Sequence, residues 1–178
     1  MAGQAGIEEE MRLALYPYRF LTLSHFMKRL TIAVGGDHAG YALKGAVIQF
    51  LKDEGHEVED CGSYDPAPVD FPDIAQLVCQ RVLDGKVQRG VLVCGTGVGA
   101  CIAANKKRGI RASVCHDIYS AHQCVEHDDV NVACIGAQVI GLSIAEECLR
   151  AFLSAEFSTD EQFRRRVAKL TEFERPDA

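Results

Sequence analysis

The stretch Val91-Leu92-Val93-Cys94-Gly95-Thr96-Gly97-Val98-Gly99 decides how the chain is read. Its apolar half has the length of a buried strand, its glycines mark a tight turn, and a helical pattern resumes at residue 98. A strand that runs through a glycine loop into a helix is the unit from which parallel sheets with covering helices are built. The same alternation recurs on both sides of it. Short apolar runs at 30–34, 58–60, 90–93, 112–115 and 132–135 predict strands. Helical periods at 41–54, 71–83, 98–107, 119–126 and 143–153 lie between and after them. A last charged segment, 160–173, carries Phe163, Val167 and Leu170 at helical spacing, so one face of it should pack while Arg164, Arg165 and Arg166 spread around the rest. The expectation is an α/β domain with a five-stranded parallel sheet.

The 178 residues are enough for one domain, and 48% apolar with 25% charged residues excludes disorder as the main state. Lys and Arg number 19 against 25 Asp and Glu, a formal charge of −6, which is the wrong sign for a counterion-release grip on nucleic acid. A small-molecule partner is the better expectation. None of the eight cysteines forms a C-x-x-C pair, and most lie inside apolar runs such as Val132-Ala133-Cys134-Ile135. Reduced, buried thiols in a cytoplasmic protein are expected.

Residues 1–26 have another pattern. Glu8-Glu9-Glu10 comes early, and Arg12, Arg19 and His25 interrupt the apolar residues after it, which suits neither a secretory signal nor a transit peptide. Met27-Lys28-Arg29 reads like an ordinary start directly before a strand, so 1–26 is taken as a dispensable extension and 27–178 as the working domain. No run approaches about 18 uninterrupted apolar residues, so no membrane partner is expected.

Ligands of open parallel sheets sit beyond the carboxyl ends of the strands. The residues there are Gly35-Gly36-Asp37-His38, Gly62-Ser63-Tyr64-Asp65-Pro66, Cys94 to Gly99, and His116-Asp117. The fold is expected to gather Asp37, His38, Cys94, Thr96 and His127 at one rim. The glycine loop aims backbone N–H groups at whatever binds, and a thiol at such a place can gain thiolate character. The plain alternative is a tight turn around a structural thiol. A dinucleotide fingerprint, with Asp117 some twenty residues on, is a further alternative and the basis of a nucleotide-binding oxidoreductase reading. Against it, the glycines run G-x-G-x-G and come after the third strand. Asp37-His38 offers a carboxylate for sugar hydroxyls and a switchable imidazole, or merely a helix cap. His116, His122, Cys124 and His127 have no zinc-ligand spacing, so no metal is expected.

Taken together these motifs resemble ribose-5-phosphate isomerase of type B and the related galactose-6-phosphate isomerase subunits. The match runs over residues 28–173, through Gly36-Asp37-His38-Ala39-Gly40, Leu43-Lys44, Asp70-Phe71-Pro72-Asp73 and Cys94 to Gly99. It continues through Ala103-Ala104-Asn105-Lys106, Gly109-Ile110-Arg111-Ala112, Tyr119-Ser120-Ala121, and His127 with Asn131-Val132. The resemblance implies a Rossmann-like αβα sandwich and an aldose–ketose isomerase that needs neither metal nor nucleotide. It further implies a homodimer, open to assembly into a tetramer, with each site built from both subunits and the C-terminal helix reaching the neighbour. By the same resemblance Cys94 is the base that moves a proton between C1 and C2 through a cis-enediolate, and His127 opens the furanose ring. Thr96 lies beside the reacting oxygens, the amides of Gly95, Gly97, Val98 and Gly99 receive the enediolate charge, and Asp37, His38 and Arg166 contact substrate.

This sequence departs from the family pattern at three places. Asp128 comes after the ring-opening His where the family usually has Asn, Gln138 stands where it usually has Arg, and Gln162-Phe163 replaces an Arg-His pair. Arginine suits bidentate phosphate binding and Gln lacks its charge. By the resemblance the substrate expected is ribose 5-phosphate, interconverted with ribulose 5-phosphate, while the missing arginines favour an alternative. The alternative is a shorter, longer or unphosphorylated sugar handled by the same mechanism.

Overall fold

The computed structural model describes residues 28–174; the expected N-terminal extension lies outside the described residues. Five strands form one sheet: β1 (Thr31–Gly36), β2 (Glu57–Asp60), β3 (Arg89–Cys94), β4 (Ala112–Val114) and β5 (Val132–Gly136). Their order is β2-β1-β3-β5-β4, every pair parallel. Among the described residues six helices accompany them: α1 (Tyr41–Asp53), α2 (Phe71–Leu83), α3 (Val98–Ala104), α4 (Ile118–Asp128), α5 (Leu142–Ser154) and α6 (Glu161–Glu172).

Strand alternation sorts the apolar side chains onto two faces. Ile32, Val34, Val91, Val93, Ala133 and Ile135 meet Val47 and Leu51 of α1, Val125 of α4, and Leu149 and Phe152 of α5. On the other face, Ala33, Leu92, Val132 and Cys134 meet Ile74 and Val78 of α2 and Ala100 and Ala104 of α3. The αβα sandwich results from these two cores. Each fully buried Leu, Val or Phe contributes about 1.5–3 kcal/mol of apolar transfer, so neither layer can peel away cheaply.

Local chemistry sets the element ends. Asp117 caps α4 by accepting from the Ser120 amide at 2.7 Å, and Asp160 caps α6 through the Gln162 amide at 3.0 Å. Pro72 sits in the first turn of α2, where its missing donor is harmless. Helix α3 stops at Ala104, short of the expected residue 107. The Asn105 side chain leaves the helical path to donate to the Ala112 carbonyl at 2.9 Å and accept from its amide at 2.8 Å. Strand β1 runs two residues past the expected end because Gly35 and Gly36 pair with Leu92 and Val93.

All eight cysteines are free, and all but Cys101 are buried. No helix of the described residues is long and apolar enough to cross a membrane.

Candidate active site

The strand order fixes where a ligand can sit. From β1 the chain leaves for the β2 edge, whereas from β3 it leaves toward β5 and β4, so the loops after β1 and β3 diverge and open a crevice between them. Asp37 and His38 stand on one lip, Cys94 and Thr96 on the other. The lips approach very closely. The Asp37 amide donates to the Val93 carbonyl at 3.2 Å, and a Cβ on Gly40 would lie 2.0 Å from that same oxygen. Only glycine fits there.

Asp37 is buried, and one of its oxygens accepts from the Gly40 amide at 2.9 Å. That bond closes a turn before the helix and does not cap α1, whose N-cap residue is Gly40 with no side-chain cap bond, so the expected cap is not what Asp37 forms; its other oxygen accepts no hydrogen bond among the described residues. His38 is exposed and its Nδ1 accepts weakly from the Val69 amide at 3.4 Å, which leaves Nε2 available for another partner. Cys94 ends β3 at 8% exposure, enclosed but reachable. Beyond it Gly97 takes φ 77°, a left-handed turn that starts α3. The first amides of any helix have no intrahelical acceptor. Here they lie one loop away from the thiol, and Thr96 Oγ1 accepts from the Val98 amide at 3.3 Å.

The loop after β5 and the residue after β4 complete this rim. The amides of Ala137 and Gln138 donate to the carbonyls of Cys94 (2.8 Å) and Gly95 (2.9 Å), so the loop after β5 lies along the glycine loop. The Gln138 carboxamide oxygen would be 3.3 Å from a Cβ on Gly95. His116 Nε2 accepts from the Gly136 amide at 2.8 Å, taking over as acceptor where β4 has ended. Burial lowers the His116 pKa, with Asp117 opposing, and the neutral ring is the form that can accept. Its position directly after β4 was legible in the sequence. On α3, the Cys101 thiol is pulled down to about 7, chiefly by a hydrogen bond from Cys134.

His127 is elsewhere, which corrects the expectation of a single rim. Helix α4 returns from the end of β4 to the start of β5, so it runs against the strands, and its eleven residues carry the chain roughly 16 Å back. His127 therefore lies at the amino-terminal rim, with Asp129 in an ion pair to Arg111 just before β4. Its ring stacks on Phe163 of α6, centroids 3.9 Å apart and planes 11° from parallel. Arg166 stands 5.7 Å from the Phe163 centroid. Gln162 folds back on Asp160, its amide nitrogen 3.0 Å from a carboxylate oxygen. One chain thus carries two groups of expected site residues at opposite ends: Cys94, Thr96, Asp37, His38 and Gln138, and then His127, Arg166 and Gln162. Among the described residues no three His, Cys, Asp or Glu gather closely enough to hold a metal ion.

Known proteins resemble this chain in sequence and in fold. A family model described as Ribose/Galactose Isomerase matches residues 32–170. A D-erythrulose-4-phosphate isomerase of Pectobacterium atrosepticum is 46% identical over 131 residues, 72% of this chain and 85% of that protein. Ribose-5-phosphate isomerase B of Escherichia coli is 41% identical over 143 residues, 80% of this chain and 95% of that one. A solved ribose-5-phosphate isomerase B of Clostridium thermocellum superposes with a TM-score of 0.80 at 41% identity, covering 83% of this chain and 99% of its own.

Proposed function

The chain belongs to the ribose/galactose isomerase family, so it is an enzyme of sugar-phosphate isomerisation, and from that premise we propose that it interconverts D-ribose 5-phosphate and D-ribulose 5-phosphate in the cytoplasm. The observation that carries this reading is Cys94 at the end of β3, enclosed beside a glycine loop whose amides lead into α3 and facing Asp37 and His38 across the crevice.

The chemistry stems from that placement. The Cys94 thiolate takes the proton from C2 of the open-chain aldose, the C2–H electrons form the C1–C2 double bond, and the carbonyl electrons move onto O1. The resulting cis-enediolate carries its charge on oxygens that face the Gly95–Gly99 amides. Donors fixed in place before the charge develops are worth about 10²–10³ in rate for each such group. Cys94 then returns the proton to C1 while the hydroxyl proton of O2 passes to O1 and the C2 carbonyl forms, so atoms and charge balance without a metal or a nucleotide. Thr96 Oγ1 and His38 Nε2 orient the two oxygens, and the free oxygen of Asp37 accepts a sugar hydroxyl.

Ring opening is assigned to His127, with Arg166 beside it for the phosphate. Because these two lie at the other end of the chain, they act on the Cys94 site of a second copy, in a homodimer with two composite sites. A second reading keeps the mechanism and shortens the substrate to four carbons. It is favoured by the name of the 46%-identical relative and by Gln138 and Gln162 standing in place of arginines. Incubating the protein in deuterated water with D-ribose 5-phosphate, and separately with D-erythrulose 4-phosphate, and monitoring products by proton NMR tests both. Turnover of either with deuterium gained at carbon identifies the substrate; no turnover and no exchange with any sugar phosphate overturns the function.

A further inference from the structure

Lys44 is the residue whose role the chemistry above leaves unused. It lies on α1, three residues after the helix start, and is only 3% exposed. Burying an ammonium is costly unless it is paired and hydrogen-bonded, and both of its acceptors here lie in one turn. Nζ donates to Asp60 Oδ1 at 2.7 Å and to the Ser63 carbonyl at 2.7 Å. Asp60 Oδ1 also accepts from the Gly62 amide at 2.9 Å, and the Tyr64 hydroxyl donates to the Asp60 carbonyl at 3.0 Å. The turn after β2 is thus wound around one buried charge.

That turn grips the loop after β1. The Gly36 amide donates to the Gly62 carbonyl at 2.7 Å, and the Ser63 amide donates back to the Gly36 carbonyl at 2.6 Å. The Lys44 stem lies beneath the same residue, since a Cβ on Gly36 would be 3.3 Å from its Cδ. Asp37 comes directly after Gly36.

We propose that Lys44 is a positioning residue for Asp37, acting through the Asp60–Ser63 turn and its two-bond clamp on Gly36. This rests on the isomerase reading for its consequence in turnover, but the mechanical link stands by itself. It also gives a use to the Leu43-Lys44 motif beyond helix packing. Asp37 binds substrate without joining the proton transfer, so its displacement weakens substrate binding far more than the chemical step.

Lys44→Met alone leaves the Asp60 carboxylate unpaired, so the test uses Lys44→Met combined with Asp60→Asn, which keeps an acceptor for the Gly62 amide. Two readouts are taken alongside Asp37→Asn and the triple variant. In the ligand-free protein, amide hydrogen exchange at Gly36 and Ser63 should quicken at least tenfold while amides of Val91 and Ile135 keep their protection. In turnover, KM should rise at least tenfold with kcat within threefold, and adding Asp37→Asn should cost no further KM. Unchanged exchange at Gly36 and Ser63 overturns the clamp, whether or not the protein proves to be an isomerase. Effects on KM that multiply in the triple variant overturn the link to Asp37, since a merely structural lysine acts independently of that carboxylate. Absence of any turnover in the wild type removes the isomerase reading and leaves the exchange result to decide the clamp.

Discussion

His127 and Phe163 stack face to face at 3.9 Å, joining the end of α4 to α6 at the rim opposite Cys94. A histidine assigned to ring opening is thereby held by an aromatic partner from the last helix, and neither can reach the thiol of its own chain. The stack is worth about 0.5–1.5 kcal/mol beyond the area it buries, enough to fix the ring's orientation.

This separation predicts complementation. Cys94→Ala and His127→Ala should each be nearly inactive on ribose 5-phosphate, whereas an equal mixture, after subunit exchange, should recover about a quarter of wild-type activity. Half of the dimers are then mixed, and each has one intact site out of two. Activity of the mixture no greater than the sum of its parts would exclude a site shared between copies.

Cys94→Ala should lower kcat by about 10²–10⁴, the usual contribution of a positioned base, while changing KM little. Exchange of solvent deuterium into the sugar carbon should fall in parallel. Exchange at the wild-type rate in this variant would remove Cys94 from the proton transfer.

His127→Ala should depress turnover of cyclic ribose 5-phosphate much more than that of a four-carbon sugar phosphate, which has no free hydroxyl with which to close a furanose. Steady-state kinetics on the two compounds gives the ratio. Equal losses on both would mean that His127 does something other than open rings.

Stability should fall on mild acidification. His116 accepts from the Gly136 amide and His56 from the Leu30 amide at 3.3 Å, and burial lowers the pKa of both in the folded protein. A lowered folded-state pKa means that the unfolded chain binds protons first, so the stability these rings contribute is complete above about pH 6.5 and is lost as pH falls through their folded values. Urea unfolding midpoints at pH 7.5 and 5.0 measure it. His116→Gln, which keeps an acceptor but cannot titrate, should shrink the difference; an unchanged difference would place the acid sensitivity elsewhere.

Gln138→Arg acts at the Cys94 rim and Gln162→Arg at the His127 rim, so in the proposed dimer the two would meet across the subunit boundary. If the natural substrate is a shorter sugar, KM for ribose 5-phosphate should be high in the wild type and fall at least tenfold in the double variant, since each charge-assisted contact contributes about 1.5–3 kcal/mol. A low wild-type KM that neither arginine changes would leave ribose 5-phosphate as the natural substrate, with Arg166 or its neighbours holding the phosphate.

The sequence by itself determined the five strand-and-helix units, the parallel sheet, and the placement of Cys94, Thr96, Asp37 and His38 at the carboxyl ends of strands. All of these are set by periodicity and turn chemistry within a few residues of each position. Helix ends were less legible: Asn105 closes α3 early by pairing with Ala112, seven residues on, which no local propensity encodes. Even His127 could have been placed from the direction in which a helix must return between parallel strands. Only the tertiary structure decided the strand order, the Phe163 ring against His127, the His116 bond to Gly136, and the wrapping of residues 60–63 around Lys44. Those contacts join residues distant in the chain. An amphipathic pattern names the face that must be buried, but the partner of that face is chosen by how the layers pack.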